Sequence, residues 1–254
     1  MNLYEAIFLR KTVRNYLNDD ISDAVLERIK LTYKNLVGLF GNIETDISIW
    51  NTRKGQPRHL GLLSSKAPYY IAFYSENAPR AMMNTGYLME QMALYLCTQG
   101  IGSSFLGKSR VLKNLRKKGD KELIGILGFG KSRGAYIRRQ SDANRLPMEE
   151  LCLFKEQPRQ WMKQLLDAAR MAPSYMNHQP WRFVVYDNRI HIFSKKQKTD
   201  HMNKWDEVNF GILFANFMVA AEEMWLDVDL IRLENISQKN FPNNRYVLSA
   251  ILKT

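Results

Sequence analysis

Two long apolar segments with the same opening constrain the fold of this chain more than any other feature. Residues 84 to 100 read NTGYLMEQMALYLCTQG, and residues 209 to 225 read NFGILFANFMVAAEEMW. Both open with Asn-x-Gly and continue with apolar residues on nearly every face of a helix. Such a helix has to be packed on several sides, so the pattern predicts two buried central helices, capped by Asn84 and Asn209 respectively.

The segments around these helices also correspond, which indicates an internal repeat with a period of about half the chain. Each half is predicted to begin with an amphipathic helix, followed by a strand entered through a proline, the buried helix and a closing strand. A chance likeness between two buried helices is the alternative. In chain order the predicted pairs are the helices Ile21 to Val37 and Arg159 to Met171, the strands Tyr69 to Tyr74 and Trp181 to Tyr186, and the closing strands Leu123 to Leu127 and Tyr246 to Leu252.

These pairs divide the chain into a first half, residues 1 to 145, and a second half, residues 146 to 254, which are expected to form one compact unit. The polar stretch Arg138 to Gln157, with Pro147 and Pro158, is predicted to connect them. A composition of 254 residues with 45% hydrophobic side chains allows a large buried core. The apolar stretches are too short or too interrupted by charge to span a bilayer, so we expect a cytoplasmic protein with no signal peptide and no membrane partner.

The two cysteines, Cys97 and Cys152, lie among apolar neighbours and lack the spacing of a metal site, so we expect two buried thiols and no metal. The formal net charge of +12 is enough to attract nucleic acid or a phosphorylated ligand. The cations fall in short clusters without a zinc-finger or basic-zipper pattern. Most of them are therefore expected to be solvated, and no nucleic-acid partner is expected.

A basic segment near the start is a candidate phosphate site. Arg10, Lys11, Thr12 and Arg14 place three cations and a hydroxyl within five residues. Guanidinium groups give forked, charged hydrogen bonds to phosphate, and threonine adds a donor. Taken alone, this signal is weak, because solvated surface clusters of this size are common and are the favoured interpretation.

A turn in the second half is more specific. The segment 168 to 181 reads AARMAPSYMNHQPW; Pro173 ends a helix and leaves Ser174 and Asn177 on a turn that leads into a strand. With the basic start, this segment resembles the FMN-dependent nitroreductase superfamily, whose members have an R-[RK]-[ST]-x-R start and an A-A-x-x-A-P-S-x-x-N-x-Q-P-W segment. The resemblance implies that Arg10, Lys11, Thr12 and Arg14, together with Pro173, Ser174, Tyr175 and Asn177, bind FMN.

In that family the two motifs lie close together in one chain, and a homodimer completes each site. Here they are about 160 residues apart, one in each half. The resemblance therefore implies a fused pseudo-dimer with one FMN site, for which a monomer suffices. It also implies an α+β fold, with a mixed, mainly antiparallel sheet flanked by helices in two pseudo-symmetric halves around the two central helices.

Two weaker matches complete the predicted site. Residues 100 to 107, GIGSSFLG, resemble the family's glycine loop near the flavin ring, which implies contacts from Gly102, Ser103, Leu106 and Gly107. Leu106 departs from the glutamate or tryptophan of many relatives. Farther on, the resemblance implies that Arg138 or Arg139 reaches the FMN phosphate.

The function implied by this resemblance is an FMN-dependent oxidoreductase that passes hydride from NADH or NADPH to a nitroaromatic, quinone or similar small acceptor. No side chain is expected to be catalytic, since the chemistry belongs to FMN. His178 is expected to be structural or exposed, and Trp181 to anchor the core. The alternatives are reductive dehalogenation or flavin breakdown on the same site, and a non-catalytic protein that binds flavin or nucleic acid.

Overall fold

The computed structural model describes residues 1–52, 67–106, 111–196 and 200–253. The chain forms two compact units, Met1–Asp142 and Ala143–Thr254, called here the first and the second unit. Each combines helices with a five-stranded sheet, which confirms the predicted α+β class. No helix among the described residues is both long enough and apolar enough to cross a membrane.

The sheet of the first unit is antiparallel throughout. Its strands follow the order β1-β2-β5-β3, and the short β4 pairs with β5. The elements are α1 Leu3–Leu9, α2 Asp23–Asn35, β1 Thr45–Asn51, β2 Tyr69–Ser75, α3 Ala81–Thr98, β3 Gly102–Leu106, β4 Lys117–Lys118 and β5 Lys121–Gly130.

The sheet of the second unit follows the order β6-β7-β8-β10-β9, with a parallel pair only between β6 and β7. Its elements are α4 Met148–Leu151, β6 Cys152–Phe154, α5 Gln160–Arg170, β7 Trp181–Val185, β8 Arg189–Lys195, α6 Asp200–Glu223, β9 Asp227–Ile231, α7 Glu234–Ser237 and β10 Asn244–Lys253. The stretch Arg138 to Gln157, predicted only as a connection, therefore contains α4 and β6.

The two predicted central helices are confirmed as α3 and α6, but the predicted caps are wrong. Asn84 and Asn209 lie inside these helices and are almost fully buried. The helices begin earlier because residues before each asparagine continue the helical turn: α3 begins at Ala81 and α6 at Asp200. The asparagines make tertiary hydrogen bonds instead of capping bonds.

The strand orders of the two sheets can be compared position by position, and β1 then stands with β7 and β2 with β8. In this comparison Tyr69 to Tyr74 stands with β8, whereas the sequence pattern paired it with Trp181 to Tyr186, and the internal repeat stays a prediction. The sequence missed β1 because only Ile47 and Trp50 of its seven residues are buried, and their three-residue spacing is not the two-residue period of a strand. It missed β8 because His191 and Ser194 are polar although buried, their side chains being hydrogen-bonded to Ser249 and Asp206. Trp181 is fully buried, as predicted.

Candidate functional site

The basic segment of the first unit lies where three parts of the chain meet. After α1, the backbone pairs with residues 132 to 138 on one side and with β3 on the other. The Val13 N–H donates to the Ser103 carbonyl at 2.9 Å, and the Arg138 N–H donates to the Leu9 carbonyl at 2.8 Å. The basic start, the glycine-containing segment and the late arginine, which are far apart in sequence, are thus neighbours in this unit.

The glycine-containing segment is a strand, not the predicted loop. Residues 102 to 106 form β3 because their backbone pairs with β5, from Gly102 opposite Gly130 to Leu106 opposite Ile126. The structure also gives Gly102 a packing role, since a Cβ there would lie 2.7 Å from Val13 Cγ2. A side chain would therefore push the basic segment away from β3. Gly107 lies outside the described residues.

Arg10 is buried at the centre of this arrangement, with 6% of its surface exposed. Its Nε lies 3.7 Å from Oε1 of Glu90, a buried carboxylate of α3, and its guanidinium carbon lies 5.2 Å from the centroid of the Phe105 ring. Its Nη1 is buried and has no hydrogen-bond partner among the described residues. A buried guanidinium donor without an acceptor is costly, so this group fits an anionic ligand.

Arg138 presents a second such donor. Its Nε is also buried without a partner in the part of the chain that the structure describes. Burial lowers the pKa of Arg138, and the positive charge of Arg10 lowers it further. The neighbouring Arg139 differs, since 85% of its side chain is exposed and its Nε donates to Asp142 at 3.4 Å. The two adjacent arginines, which the sequence left as alternatives, therefore occupy different environments.

The other predicted residues of the first unit differ in their exposure to solvent. Lys11 and Leu106 are partly buried, Thr12 and Arg14 are exposed, and Ser103 is buried. Ser103 contributes its backbone, which accepts from Val13 and bridges to Thr12. Thr12 and Arg14 are accessible to solvent.

The turn of the second unit is held by its own hydrogen bonds. Ser174 Oγ accepts from the Gln179 N–H at 2.9 Å, while Gln179 Oε1 accepts from the Leu146 N–H at 2.8 Å. Met176, Asn177 and Gln179 adopt positive φ angles, so the turn contains three residues in the left-handed region. Pro173 is partly buried, and Tyr175 is exposed and stacks on Trp205 with 6.1 Å between ring centroids. His178 is exposed, as predicted.

Asn177, predicted to bind FMN, is engaged within this unit. Its Oδ1 accepts from Arg145 Nη1 at 3.0 Å, and its Nδ2 donates to the Asn144 carbonyl at 3.0 Å. Sequence analysis missed Arg145, which also donates to the Met171 carbonyl. It lay in a stretch interpreted as a connection, and no local pattern distinguishes it from nearby cations. Ser174 and Asn177 shape the turn, and their contact with FMN stays a prediction.

The turn is also tied to the long helix α6. Asn209 Oδ1 accepts from the Tyr175 N–H at 2.9 Å, and Asn209 Nδ2 donates to Asp206 at 3.3 Å. Asp206, which is buried, accepts from the Ser194 hydroxyl of β8 at 3.1 Å. The position of the turn is therefore set by one strand and one helix of the same unit.

Over residues 2–221 the chain matches the model of a family described as "Putative TM nitroreductase". No curated protein matches it.

Among solved structures, a putative nitroreductase from Thermotoga maritima is 21% identical, with a TM-score of 0.64, over 99% of this chain and 94% of the other. A nitroreductase family protein from Clostridium difficile 630 is 17% identical, with a TM-score of 0.47, over 59% of this chain and 96% of the other. A nitroreductase with bound FMN from Bacteroides fragilis is 17% identical, with a TM-score of 0.43, over 55% of this chain and 93% of the other. The first of these shows a shared fold. Because the family model spans most of the sequence, the chain belongs to this nitroreductase family.

Proposed function

We propose that this protein binds FMN and is an oxidoreductase that uses NADH or NADPH to reduce a small acceptor such as a nitroaromatic or a quinone. The observation that carries the proposal is the pair of buried guanidinium groups, Arg10 and Arg138, each with an N–H that has no partner among the described residues. A dianionic phosphate supplies several acceptor oxygens and the charge that offsets both cations. Family membership supports the same cofactor class.

Several residues of the first unit would together bind the phosphate group of FMN. Arg10 and Arg138 donate from buried positions, and Glu90 keeps Arg10 oriented through the contact at 3.7 Å. Thr12 and Arg14, which are exposed, add a hydroxyl and a further cation. When bound, FMN supplies the hydride chemistry that no protein side chain here can supply.

We further propose that the chain is a fused pseudo-dimer. The matching strand orders β1-β2-β5-β3 and β7-β8-β10-β9 support a common plan for the two units. The basic motif occurs only in the first unit and the P-S-x-x-N motif only in the second. This distribution supports one FMN per chain, with a monomer sufficient for activity.

The visible absorption spectrum tests the cofactor and the donor together. Purified protein is incubated with FMN, desalted and titrated anaerobically with NADH and with NADPH. We expect about one retained FMN per chain and loss of the oxidised-flavin band with at least one donor. Two FMN per chain would refute the single site, and bound flavin that neither donor reduces would refute the oxidoreductase.

The adjacent arginines supply a matched pair for the phosphate site. R138Q should weaken FMN binding by about tenfold to a hundredfold, which corresponds to one lost charge-assisted hydrogen bond of about 1.5–3 kcal/mol. R139Q should change it little, because Arg139 is exposed and pairs with Asp142. Riboflavin lacks the phosphate group and should bind more weakly than FMN. Its affinity should be the same for R138Q and R139Q, because neither arginine can contact a phosphate in that complex. Equal FMN affinities for R138Q and R139Q would remove Arg138 from the site.

A further inference from the structure

The first unit contains a cavity that lies apart from the residues predicted to bind FMN. It has a volume of about 1060 Å³ and lies between α2, the turn at residues 36 to 44, β1 and α3. None of the residues predicted for the FMN site lines it. Its walls include three aromatic rings and several aliphatic side chains, among them Tyr33, Phe40, Trp50, Ile47 and Leu88. Such a volume accommodates a drug-sized molecule.

One buried side chain that lines this cavity has an amide donor without a partner among the described residues. Asn84, with 1% of its surface exposed, lines the cavity from α3. Its Oδ1 accepts from the Phe40 N–H at 2.9 Å, which fixes the orientation of the amide. Its Nδ2 has no hydrogen-bond partner among the described residues. An acceptor atom on a ligand would form the missing hydrogen bond and remove the free-energy cost of a buried donor without a partner.

The charges around the cavity favour an anion. Lys30, Lys34 and Lys118 line it with a single acid, Asp46. Lys118 lies 2.7 Å from Asp46, so that pair is neutral overall. Lys30 is likewise paired with Glu27, at 2.7 Å. Lys34 is exposed and makes no ion pair within the described residues, so it supplies the net positive charge.

The phenol of Tyr33, which lines the cavity, carries no charge that would repel an anion. The Tyr33 hydroxyl donates to Thr45 Oγ1 at 2.8 Å. Burial raises the pKa of Tyr33 to about 12, so the ring remains neutral at physiological pH. The cavity therefore combines apolar walls, one unpaired donor and an excess of positive charge.

We propose that this cavity binds a small aromatic carboxylate. Its planar body packs against the aromatic and aliphatic walls, and its carboxylate accepts from Asn84 Nδ2 in the positive field of Lys34. The site is independent of the proposed FMN site, so either assignment can fail without the other.

Calorimetric titration with 2-naphthoate tests this site in protein with and without saturating FMN. We expect one naphthoate per chain in both conditions, and binding of the uncharged 2-naphthamide weaker by about tenfold or more, as for a lost charge-assisted contact. Displacement of naphthoate by FMN would place the ligand in the flavin site and overturn the proposal. Equal binding of naphthoate and naphthamide would show simple apolar partition and would also overturn it.

Two variants locate the site. N84D keeps an acceptor for the Phe40 N–H but removes the amide donor and adds a negative charge, so naphthoate binding should fall at least tenfold. K34Q, at an exposed position, should weaken binding several-fold, whereas K163Q on α5 of the second unit, equally exposed, should leave it unchanged. Unchanged affinity in both N84D and K34Q would overturn the assignment.

Discussion

Asn84 in α3 and Asn209 in α6 bind a turn in the same way, but with different results in the two units. Each accepts, through Oδ1, a backbone N–H from the turn that follows an amphipathic helix, Phe40 in one unit and Tyr175 in the other, both at 2.9 Å. The opposite end of the amide differs. Asn209 Nδ2 donates to the buried Asp206, whereas Asn84 Nδ2 has no partner in the described chain.

This difference separates a structural role of the asparagine from a binding role. In the second unit, Asp206 and Ser194 complete the network, so the chain satisfies the asparagine by itself. In the first unit Asn84 lines a cavity of about 1060 Å³. The asparagine of α6 is therefore satisfied by the chain itself, whereas, among the described residues, the asparagine of α3 keeps the free donor on which the proposed ligand site depends.

Leucine has a volume similar to that of asparagine, and replacing each asparagine separately by leucine should produce the largest effect on stability. N209L deprives the Tyr175 N–H of its acceptor and Asp206 of a donor, so it should lower the free energy of unfolding by about 2–4 kcal/mol. N84L deprives only the Phe40 N–H, so the expected loss is about 1–2 kcal/mol. Urea unfolding measured for both variants gives the comparison. Equal losses would mean that the bond to Asp206 adds no stability.

The strands that follow the two long helices extend the comparison. Gly102 opens β3 beneath Val13, whereas Asp227 opens β9 and lies 3.6 Å from Lys253. G102A should cost about 1–3 kcal/mol through overpacking and should weaken FMN binding, because Val13 connects β3 to the basic segment. G134A is the control, since a Cβ there meets no atom within 4 Å. A stable G102A with normal FMN affinity would show that the basic segment does not depend on this close packing.

The sequence predicted the parts of the molecule whose signals are local. All-round apolarity identified α3 and α6, and the resemblance identified the basic start and the turn before β7. Contacts between distant residues carried no local signal, so the burial of Arg10 against Glu90 and the bond between Arg145 and Asn177 were not foreseen. The caps assigned to Asn84 and Asn209 were wrong for the same reason, since their partners lie on distant turns.

The C-terminal ends of the two helices offer a smaller test. Gly100 and Trp225 occupy the same position after α3 and α6, with φ angles of 74° and 55°. A left-handed conformation costs about 1–2 kcal/mol for a residue with a Cβ, and Trp225 is 95% exposed, so its ring gains little from packing. W225G should therefore stabilise the protein by about 1 kcal/mol and G100A should destabilise it by a similar amount, as measured by thermal or urea unfolding. Destabilisation by W225G would reveal packing of the Trp225 ring.

The interior strands β2 and β8 differ in a way that should make stability sensitive to acid. β2 is formed mainly by apolar and aromatic residues, whereas β8 carries the buried His191, whose Nδ1 is hydrogen-bonded to Ser249 Oγ at 2.7 Å. Burial lowers the pKa of His191, and the charge of Arg189 lowers it further.

The folded chain therefore resists protonation at His191, while the unfolded chain accepts a proton near the ordinary pKa of about 6.5. Stability is retained above that pH and falls as the pH decreases from about 7 towards 5. H191Q, which cannot titrate, should reduce this slope in urea unfolding measured at several pH values, and H178Q, at an exposed position, should leave it unchanged. If H191Q and the unmodified protein lose stability equally between pH 7 and pH 5, the acid sensitivity arises from other groups. Protonation of His191 in β8 would then cost the folded chain no stability, and the polar residues of β8 would not set it apart from the apolar β2.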